Sequence, residues 1–347
     1  MKPGFRLPTR RHALAALGLG IPAVLTTWRG SVHAQALRNI TFVQPNPSAI
    51  NGFQLHVAIG QGYFKDEGLN VRVETVDGSA PVLQALAAGQ AHFGRPGPAP
   101  VLLARSRGVD VVFLYNAVPT SSFGIVVKRD SAYKSPADLK GKVIGVGTRD
   151  GAEVGFARAI LNDLKMTEPR DYTFIPVGDG GPAAAGFLRG DIEAYVAATS
   201  DAAILNQRGI FVRDITPEKF LTYFGNGFAA MGDYIAKNPD IVEGFGRALV
   251  RGTKFAMDDK NRATVMKHLA AGNRMEGENQ AFANALFEAV RGKATPKDLS
   301  KGWGYQDPAH WQAWQKSLLA SGDLKKPLPN LEAAYTNKFI EAWNRSK

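Results

Sequence analysis

The sequence predicts an α/β protein made of two similar lobes. Beyond Leu37, short apolar runs alternate with helical stretches, which is the pattern of strands layered with helices. A shift of 101 residues also superimposes two pairs of glycines, Gly89 and Gly108 on Gly190 and Gly209. Matched spacing of this kind indicates one βαβαβ unit written twice, and hence two lobes facing each other across a cleft.

The individual elements follow from the same patterns. Strands are predicted over RNITFVQP (38–45), LNVRVETV (69–76), VDVVFLYN (109–116), FGIVVKRD (123–130), KVIGV (142–146), YTFIPVG (172–178), IEAYVAA (192–198) and IFVRDI (210–215). Ser135 to Asp138 reads as a capping box, with proline at the first helical position. After Gly225 the chain becomes mostly helical, over PDIVEGFGRALVRGTKFAM (239–257), RATVMKHLA (262–270), ENQAFANALFEAV (278–290) and LEAAYTNKFIEAWN (331–344).

The first 36 residues are interpreted as a cleaved export signal. Basic residues precede an apolar stretch at 13–28, and the triplet AQA at 34–36 provides a small-x-small cleavage site. A membrane anchor is the alternative, but the stretch is shorter than the ~20 residues that span a bilayer, and glycine and proline interrupt it. TRRHAL (9–14) resembles the twin-arginine motif, with Ala13 where phenylalanine is usual. Twin-arginine and general secretory export both remain open.

Charge and cysteine content exclude several functions. The chain has 42 basic and 31 acidic residues, a net charge of +11, and the first 36 residues hold five of the basic ones and no acid. The remainder therefore carries a net charge of +6, without the basic and aromatic runs of a nucleic-acid surface. Cysteine is absent, so disulfides, a lipidated first cysteine and thiol catalysis are all excluded.

Two segments are predicted to carry the chain between the lobes and to act as the hinge. They are Pro-Thr-Ser-Ser at 119–122 and Gly-Asn-Gly at 225–227. This division places residues 37–121 and 226–347 in lobe 1 and residues 122–225 in lobe 2, with the helical C-terminal part expected to cover lobe 1.

Four phrases of the sequence resemble one family of proteins. GQGYFKDEGLNVRVE (60–74), ALAAGQAHFG (85–94), LLARSRGVDV (102–111) and SPADLKGKVIGV (135–146) are similar to the sulfonate, taurine and nitrate group of solute-binding proteins of ABC importers. That family also includes binders of thiamine pyrimidine precursors. The resemblance implies a two-lobed periplasmic-binding-protein fold of type II, the Venus-flytrap, with two crossover segments. It also implies a periplasmic location, a membrane permease as partner, and a bound solute that is not altered.

The candidate ligand-binding residues lie on the loops that follow the predicted strands and on the two crossovers. They are Asn46, Ser48, Arg95, Gly97, Thr120, Ser121, Thr148, Arg149, Asp150, Asp179, Thr199, Ser200 and Asn226. The stretch from Gly147 to Gly151 exposes backbone N–H groups at a helix start, where an anion is stabilised. Arg149 could add a two-pronged contact to a sulfonate, carboxylate or phosphate, and Arg95 is the second such candidate. Either arginine could instead be a solvated loop charge or form a salt bridge.

The class of ligand stays open at this point. The acids Asp150, Glu153, Asp179 and Asp201 lie on the same loops as the two arginines. A small organic anion, such as a sulfonate or carboxylate, suits the arginines, whereas the mixed charges also suit a zwitterion, a pyrimidine or another aromatic heterocycle.

No catalytic residue, metal or cofactor is expected. The histidines are scattered without metal-ligand spacing, and no G-x-S-x-G motif occurs. Some relatives in the family make the thiamine pyrimidine with a Cys-rich motif, which this chain lacks. The glycine stretch at 145–151 departs from G-x-G-x-x-G and lacks the acid of a dinucleotide site. We therefore expect a monomeric binding protein that is not an enzyme and binds no nucleic acid.

Overall fold

In the computed structural model, which describes residues 36–220 and 223–345, ten strands form two separate sheets. They are β1 (Arg38–Gln44), β2 (Leu69–Thr75), β3 (Phe93–Gly94), β4 (Val111–Tyr115), β5 (Phe123–Lys128), β6 (Lys142–Val146), β7 (Tyr172–Pro176), β8 (Ala194–Ala198), β9 (Val212–Asp214) and β10 (Phe228–Met231). The strand order is β2-β1-β3-β10-β4 in the first sheet and β7-β6-β8-β5-β9 in the second.

The two sheets are built alike. In each, the strand that arrives from the other sheet runs antiparallel to its neighbours, β10 beside β3 and β4, and β5 beside β8 and β9. The remaining pairs, which β1 and β6 form with their neighbours, are parallel. The chain passes from the first sheet to the second between β4 and β5 and returns between β9 and β10. We call the part around the first sheet lobe 1 and the part around the second sheet lobe 2.

Fourteen helices surround the sheets within the described residues. They are α1 (Phe53–Gly60), α2 (Tyr63–Asp66), α3 (Ser79–Ala87), α4 (Pro98–Ser106), α5 (Ala152–Asp163), α6 (Gly181–Arg189), α7 (Thr199–Gln207), α8 (Gly232–Lys237), α9 (Pro239–Met257), α10 (Arg262–Gly272), α11 (Arg274–Gly277), α12 (Gln280–Ala294), α13 (Pro308–Ser321) and α14 (Ile340–Asn344). The glycines of the repeat end four of them. Gly89, Gly108, Gly190 and Gly209 all have φ between +68° and +87°, the left-handed conformation that favours glycine at a helix C-terminus.

Helix α9 shows how the C-terminal part packs on lobe 1. Its sequence places apolar side chains on one stripe, and Phe245 stacks on Phe93 of β3 with ring centroids 4.0 Å apart. Phe42 and Phe228 complete this aromatic cluster in the core of lobe 1. Burial of rings this large is among the strongest contributions to a core.

The C-terminal helices cover lobe 1, as the sequence predicts, and some of them also contact lobe 2. α13 packs on both α4 of lobe 1 and α5 of lobe 2, and α12 packs on α7. Arg158 of α5 forms an ion pair with Asp323, just beyond α13, at 3.1 Å. The helical part therefore connects the lobes as well as covering one of them.

The structure differs from the sequence analysis at two further places. The sequence does not predict β10, because FAAM lacks an alternation of apolar and polar residues and becomes a strand only through its pairing with β3 and β4. The helix predicted over 331–344 is broken into a 3₁₀ turn, Leu331–Ala334, and α14. Between them the backbone N–H of Thr336 donates to the carbonyl of Phe113 at 3.0 Å, so β4 holds this segment extended.

The predicted export signal lies outside the described residues, except for Ala36. Within the described ranges, no helix is long and apolar enough to span a bilayer.

Candidate functional site

The carboxyl ends of the parallel strands in the two sheets face each other across a cleft between the lobes, which is where open α/β sheets bind ligands. Two adjoining cavities lie in this cleft and share four lining residues, which are Asn46, Phe123, Ala198 and Asn226. Each has a volume of about 40 Å³. Their charges differ, and each is described in turn.

The first cavity, here called the acidic chamber, has three carboxyl groups in its lining, from Glu153, Asp179 and Asp201. The rest of its lining is Pro45, Asn46, Gly78, Ser79, Phe123, Thr148, Gly151, Ala152, Val196, Ala198 and Asn226, with no arginine or lysine. In the described residues, no group of His, Cys, Asp or Glu is arranged to hold a metal ion, so the three carboxyls are not such a group.

Glu153 occupies the helix start that the sequence suggested for a ligand anion. Its carboxylate folds back over Gly151 and accepts a hydrogen bond from the backbone N–H of Thr148 at 3.1 Å. Burial raises the pKa of Glu153 to about 7, although hydrogen bonds from backbone N–H groups, Gly147 among them, lower it in part. The N–H groups of Gly147 and Thr148, in the loop before α5, are therefore already satisfied by the protein's own acid.

Asp201 is held in a similar way at the start of α7. It is only 6% exposed and accepts hydrogen bonds from the backbone N–H groups of Ala198, at 3.0 Å, and Gly180. Burial and the neighbouring Asp179 and Glu153 raise its pKa well above the usual value. The acid thus completes the helix N-terminus while adding a second carboxyl to the cleft.

Asp179 is the most exposed of the three acids. Its Oδ1 accepts a hydrogen bond from the hydroxyl of Tyr195 at 3.3 Å. The loss of surrounding water raises its pKa, as does the nearby Asp77, while the Tyr195 hydroxyl lowers it. The pKa of Tyr195 is itself far above its usual value, so this phenol is a neutral donor. The remaining lone pairs of Asp179 face a solvent-accessible chamber.

The second cavity, here called the basic chamber, contains Arg95 and Lys293. Its other lining residues are Asn46, Asn51, Val118, Ser122, Phe123, Ala198, Thr199, Asn226 and Val290. Arg95 is 6% exposed and donates from Nη2 to the carbonyl of Asn51 at 2.7 Å, while its Nε has no hydrogen-bond partner. Burial lowers the pKa of Arg95 to about 10, so the guanidinium stays charged at neutral pH.

His56 lies near Arg95 and stays neutral. Burial and the charge of Arg95 lower its pKa to about 4, and its Nε2 lies 3.4 Å from Oε1 of Gln44. Arg95 and Lys293 are therefore the charged groups of the basic chamber at neutral pH.

Asn226 stands between the chambers, on the segment that returns to lobe 1. Its amide donates to the carbonyl of Arg95 at 3.2 Å, and its Oδ1 is buried without a partner. An unpaired buried oxygen costs about 1–3 kcal/mol, so Asn226 and the Nε of Arg95 are two groups that a ligand could satisfy.

The lobes touch directly beside the chambers. Asn51 of lobe 1 donates to the hydroxyl of Ser200 in lobe 2 at 2.7 Å. Gly78 faces Thr148, and a Cβ there would lie 2.6 Å from the threonine hydroxyl. Gly97 similarly abuts Ala152. This is a closed arrangement in which small residues let the two lobes meet.

Eight of the predicted site residues lie in or beside the cleft. Asn46, Arg95, Thr148, Asp179, Thr199 and Asn226 line the chambers, while Gly97 and Ser200 form the contacts between the lobes. Their role in ligand binding stays a prediction.

The other five lie elsewhere in the structure. The hydroxyl of Ser48 is bonded to Glu276, and that of Thr120 donates to the carbonyl of Lys293 at 2.9 Å. Ser121 is buried and bonds to the backbone of Phe123. Arg149 and Asp150 are exposed and line a separate groove between α3, α4, α5 and α13. The loop turns these two side chains away from the chambers, because Glu153 takes the inner position.

Several lining residues were missed or not selected from the sequence. They are Asn51, Ser79, Ser122, Phe123, Glu153, Asp201 and Lys293. Glu153 and Asp201 carried a usable signal, since an acid in the first turn of a helix commonly accepts its free N–H groups. No sequence signal pointed to Lys293, because α12 reaches the cleft only through the tertiary packing.

Comparisons with known proteins agree with this architecture. The family model described as NMT1/THI5 like matches residues 50–263. Riboflavin-binding protein RibY of Chloroflexus aurantiacus is 26% identical over 335 residues, which cover 92% of this chain and 91% of RibY. A formylaminopyrimidine-binding protein of Halalkalibacterium halodurans is 24% identical over 222 residues, covering 62% of this chain and 66% of its own.

A solved structure with a similar fold is that of the alkanesulfonate-binding protein SsuA from Xanthomonas axonopodis pv. citri, bound to MOPS. It matches with a TM-score of 0.67 and 19% identity, covering 86% of this chain and 98% of SsuA. This likeness concerns the fold. The predicted fold class, a two-lobed periplasmic-binding-protein fold with two crossovers, is confirmed.

Proposed function

The chain belongs to the NMT1/THI5-like family, and from this membership and the geometry of the cleft we propose that it is the substrate-binding component of an ABC importer. It captures a small solute between its lobes, leaves it chemically unchanged, and presents the closed form to a membrane permease. Contacts made only in the closed form shift the equilibrium of the hinge toward closure.

One observation carries the proposal. Polar groups of both lobes converge on a single cleft, and two of them, Nε of Arg95 and Oδ1 of Asn226, are buried without a partner. Each unpaired buried group costs about as much as a lost hydrogen bond, and these two belong to residues that line the cleft. A solute that bonds to them recovers this free energy.

The size of the cavities requires that the lobes move. About 40 Å³ in each chamber is far below the ~300–1,000 Å³ of an ordinary ligand pocket. A solute therefore enters when the lobes separate at the two crossing segments and is enclosed when they approach again.

Two classes of ligand have support. A small organic anion, such as a sulfonate or carboxylate, is supported by Arg95 and Lys293 in the basic chamber. A nitrogen heterocycle is supported by the three carboxyls of the acidic chamber and by Phe123, a half-buried ring on which a planar ligand could stack. RibY and the formylaminopyrimidine-binding protein are named for ligands of the second class. We favour the heterocycle, because a simple anion supplies no hydrogen-bond donor to Asp179, which bonds only to the hydroxyl of Tyr195.

The same proposal includes a location and an assembly state. The basic, apolar and small-residue order of residues 1–36 supports export and a periplasmic site of action. We propose that the exported protein works as a monomer, with the permease as its partner.

A thermal-shift screen of the purified protein tests the function. Riboflavin, substituted pyrimidines, alkanesulfonates, taurine, nitrate and aromatic carboxylates are each added, and a ligand that binds the folded state raises the melting temperature. Recovery of the bound compound chemically unchanged supports capture. A compound that is converted to a product, or a complete absence of binding across these classes, would refute it.

A further inference from the structure

The two chambers of the cleft carry opposite charge and adjoin each other, because they share four lining residues. The acidic chamber has three carboxyls and no cation in its lining, and the basic chamber has two cations and no acid. The proposed function places one solute in this cleft. The charges that line the two chambers therefore indicate which chemical groups that solute carries. The inference below rests on that proposed function.

The acidic chamber calls for hydrogen-bond donors. Glu153 and Asp201 already accept backbone N–H groups on their outer sides, whereas Asp179 bonds only to Tyr195 and to no backbone group. Carboxyl oxygens are acceptors when ionised, so the partner that fits this side carries N–H groups or a positive charge. The lining contains no lysine or arginine, so the hydrogen-bond donor or positive charge has to come from the solute.

The basic chamber calls for an acceptor. The Nε–H of Arg95 is unpartnered although the residue is 94% buried, and Lys293 of α12 lines the same chamber. A guanidinium and an ammonium together suit a carboxylate, a phosphate or sulfonate, or a polarised carbonyl oxygen.

A single solute that touches both chambers would lie against the residues that the chambers share. Asn46, Phe123 and Asn226 line each of them, and the buried Oδ1 of Asn226 has no hydrogen-bond partner. Asn46 offers a second amide there, and Phe123 offers a ring face to a planar solute.

We propose that the cleft selects a planar solute with hydrogen-bond donors at one end and an acceptor or anionic group at the other. The donor end lies in the acidic chamber, against Asp179, Asp201 and Glu153. The acceptor end lies in the basic chamber, against Arg95 and Lys293. A solute without the donor end leaves Asp179 with Tyr195 as its only partner, and a solute without the acceptor end leaves the buried Nε of Arg95 unpaired.

Three aromatic probes of similar shape test this arrangement by isothermal titration calorimetry at pH 8. 4-Amidinobenzoate carries both ends, benzamidine carries only the donor end, and benzoate carries only the acceptor end. We expect 4-amidinobenzoate to bind at least tenfold more tightly than either parent compound, because only this probe pairs both sets of charges.

Two variants assign the ends to the chambers. Asp179→Asn removes a carboxylate charge from the acidic chamber and is expected to weaken amidine binding about tenfold while sparing benzoate. Arg95→Gln is expected to do the reverse, and Lys293→Gln gives a second test on the same side if Arg95→Gln does not fold. Asp150→Asn and Arg149→Gln are matched controls, since these residues are exposed and lie outside both chambers.

Every outcome decides the inference. The inference is supported if 4-amidinobenzoate binds most tightly, if Asp179→Asn weakens only the probes with an amidine, and if Arg95→Gln weakens only the probes with a carboxylate. Equal binding of all three probes, or binding of either parent compound as tightly as 4-amidinobenzoate, overturns the dipolar selection and leaves solute capture standing. No binding of any probe also overturns it, and the proposed function then fails only if the wider screen finds no ligand either.

Discussion

The two lobes have the same backbone plan and opposite charge at the cleft. Helices α4 of lobe 1 and α7 of lobe 2 are nine residues each and are related by the shift of 101 residues. The third residue of α4 is Pro100, whereas that of α7 is Asp201; before the helices, Arg95 corresponds to Val196. A repeated unit thus fixes where the strands and helices lie, while a few substitutions at equivalent positions decide which charge each lobe presents.

The largest effect is expected from neutralising the acidic chamber. Burial raises the pKa of Glu153 from 4.5 to about 7, so the folded chain keeps a proton that the unfolded chain releases. The free energy of unfolding should therefore fall as the pH rises from about 4.5 to about 7. A shift of this size corresponds to about 3 kcal/mol at most. Glu153→Gln cannot lose a proton, and we expect it to exceed the wild type in stability at pH 8 but not at pH 5.

Urea unfolding followed across this pH range provides the measurement. The pKa values of Asp179 and Asp201 are also raised, so the free energy of unfolding of Glu153→Gln should still fall with pH, but less steeply than that of the wild type. Asp150→Asn removes an exposed carboxyl from the same loop and controls for net charge. Profiles of Glu153→Gln and the wild type that run parallel would contradict this account of the acidic chamber.

The opposite charges act on one solute only if the lobes can close. Gly97 abuts Ala152 across the cleft, so a larger side chain there holds the lobes apart. Gly97→Leu is expected to weaken 4-amidinobenzoate binding about a hundredfold, equivalent to roughly 2.7 kcal/mol. It should also increase the radius of gyration measured by small-angle X-ray scattering.

Gly292→Leu is the matched control for this experiment. Gly292 lies on α12 with open space around its Cα, so the same addition meets nothing. If Gly97→Leu binds the probe as well as Gly292→Leu does, the contact between the lobes is not required for capture.

The pH dependence of binding separates the two chambers. Benzamidine prefers ionised carboxyls, so its binding releases protons from Glu153, Asp179 and Asp201. The neighbouring titratable groups are Asp77, which faces Asp179, and Tyr195, which stays neutral. The affinity for benzamidine should rise with pH as these carboxyls ionise, by up to about tenfold per unit for each proton released. Benzoate, which lies against Arg95, should show no such rise. Calorimetry at several pH values tests this, and a falling affinity of benzamidine would reverse the assignment.

The smallest effect is expected at Arg149. This residue is exposed and lines the groove outside the chambers, whereas Arg95 lines the basic chamber. Arg149→Gln should change the affinity for 4-amidinobenzoate less than about twofold, within the range of a surface charge. A loss as large as that of Arg95→Gln would place Arg149 in the site after all.

How far the sequence could predict the site is clearest at the loop before α5. The glycines at 145–151 correctly indicated a strand, a turn and a helix start with free N–H groups. They did not indicate what fills that helix start, because Arg149 and Glu153 are both near it and only side-chain direction distinguishes them. The structure places Glu153 inside and Arg149 outside. The glycine spacing alone does not distinguish a helix terminus that accepts an external anion from one that is satisfied internally, although the acid Glu153 in the first turn was a signal for the second.

The sequence by itself determined the repeated α/β plan. Apolar periodicity and left-handed glycines such as Gly108 and Gly209 are local properties, set by side-chain burial and by backbone sterics. Only the tertiary structure decided that β10 joins the first sheet, that α12 brings Lys293 to the cleft, and that the charges separate into two chambers. These features depend on contacts between residues more than a hundred positions apart, and no local pattern of the chain encodes such contacts.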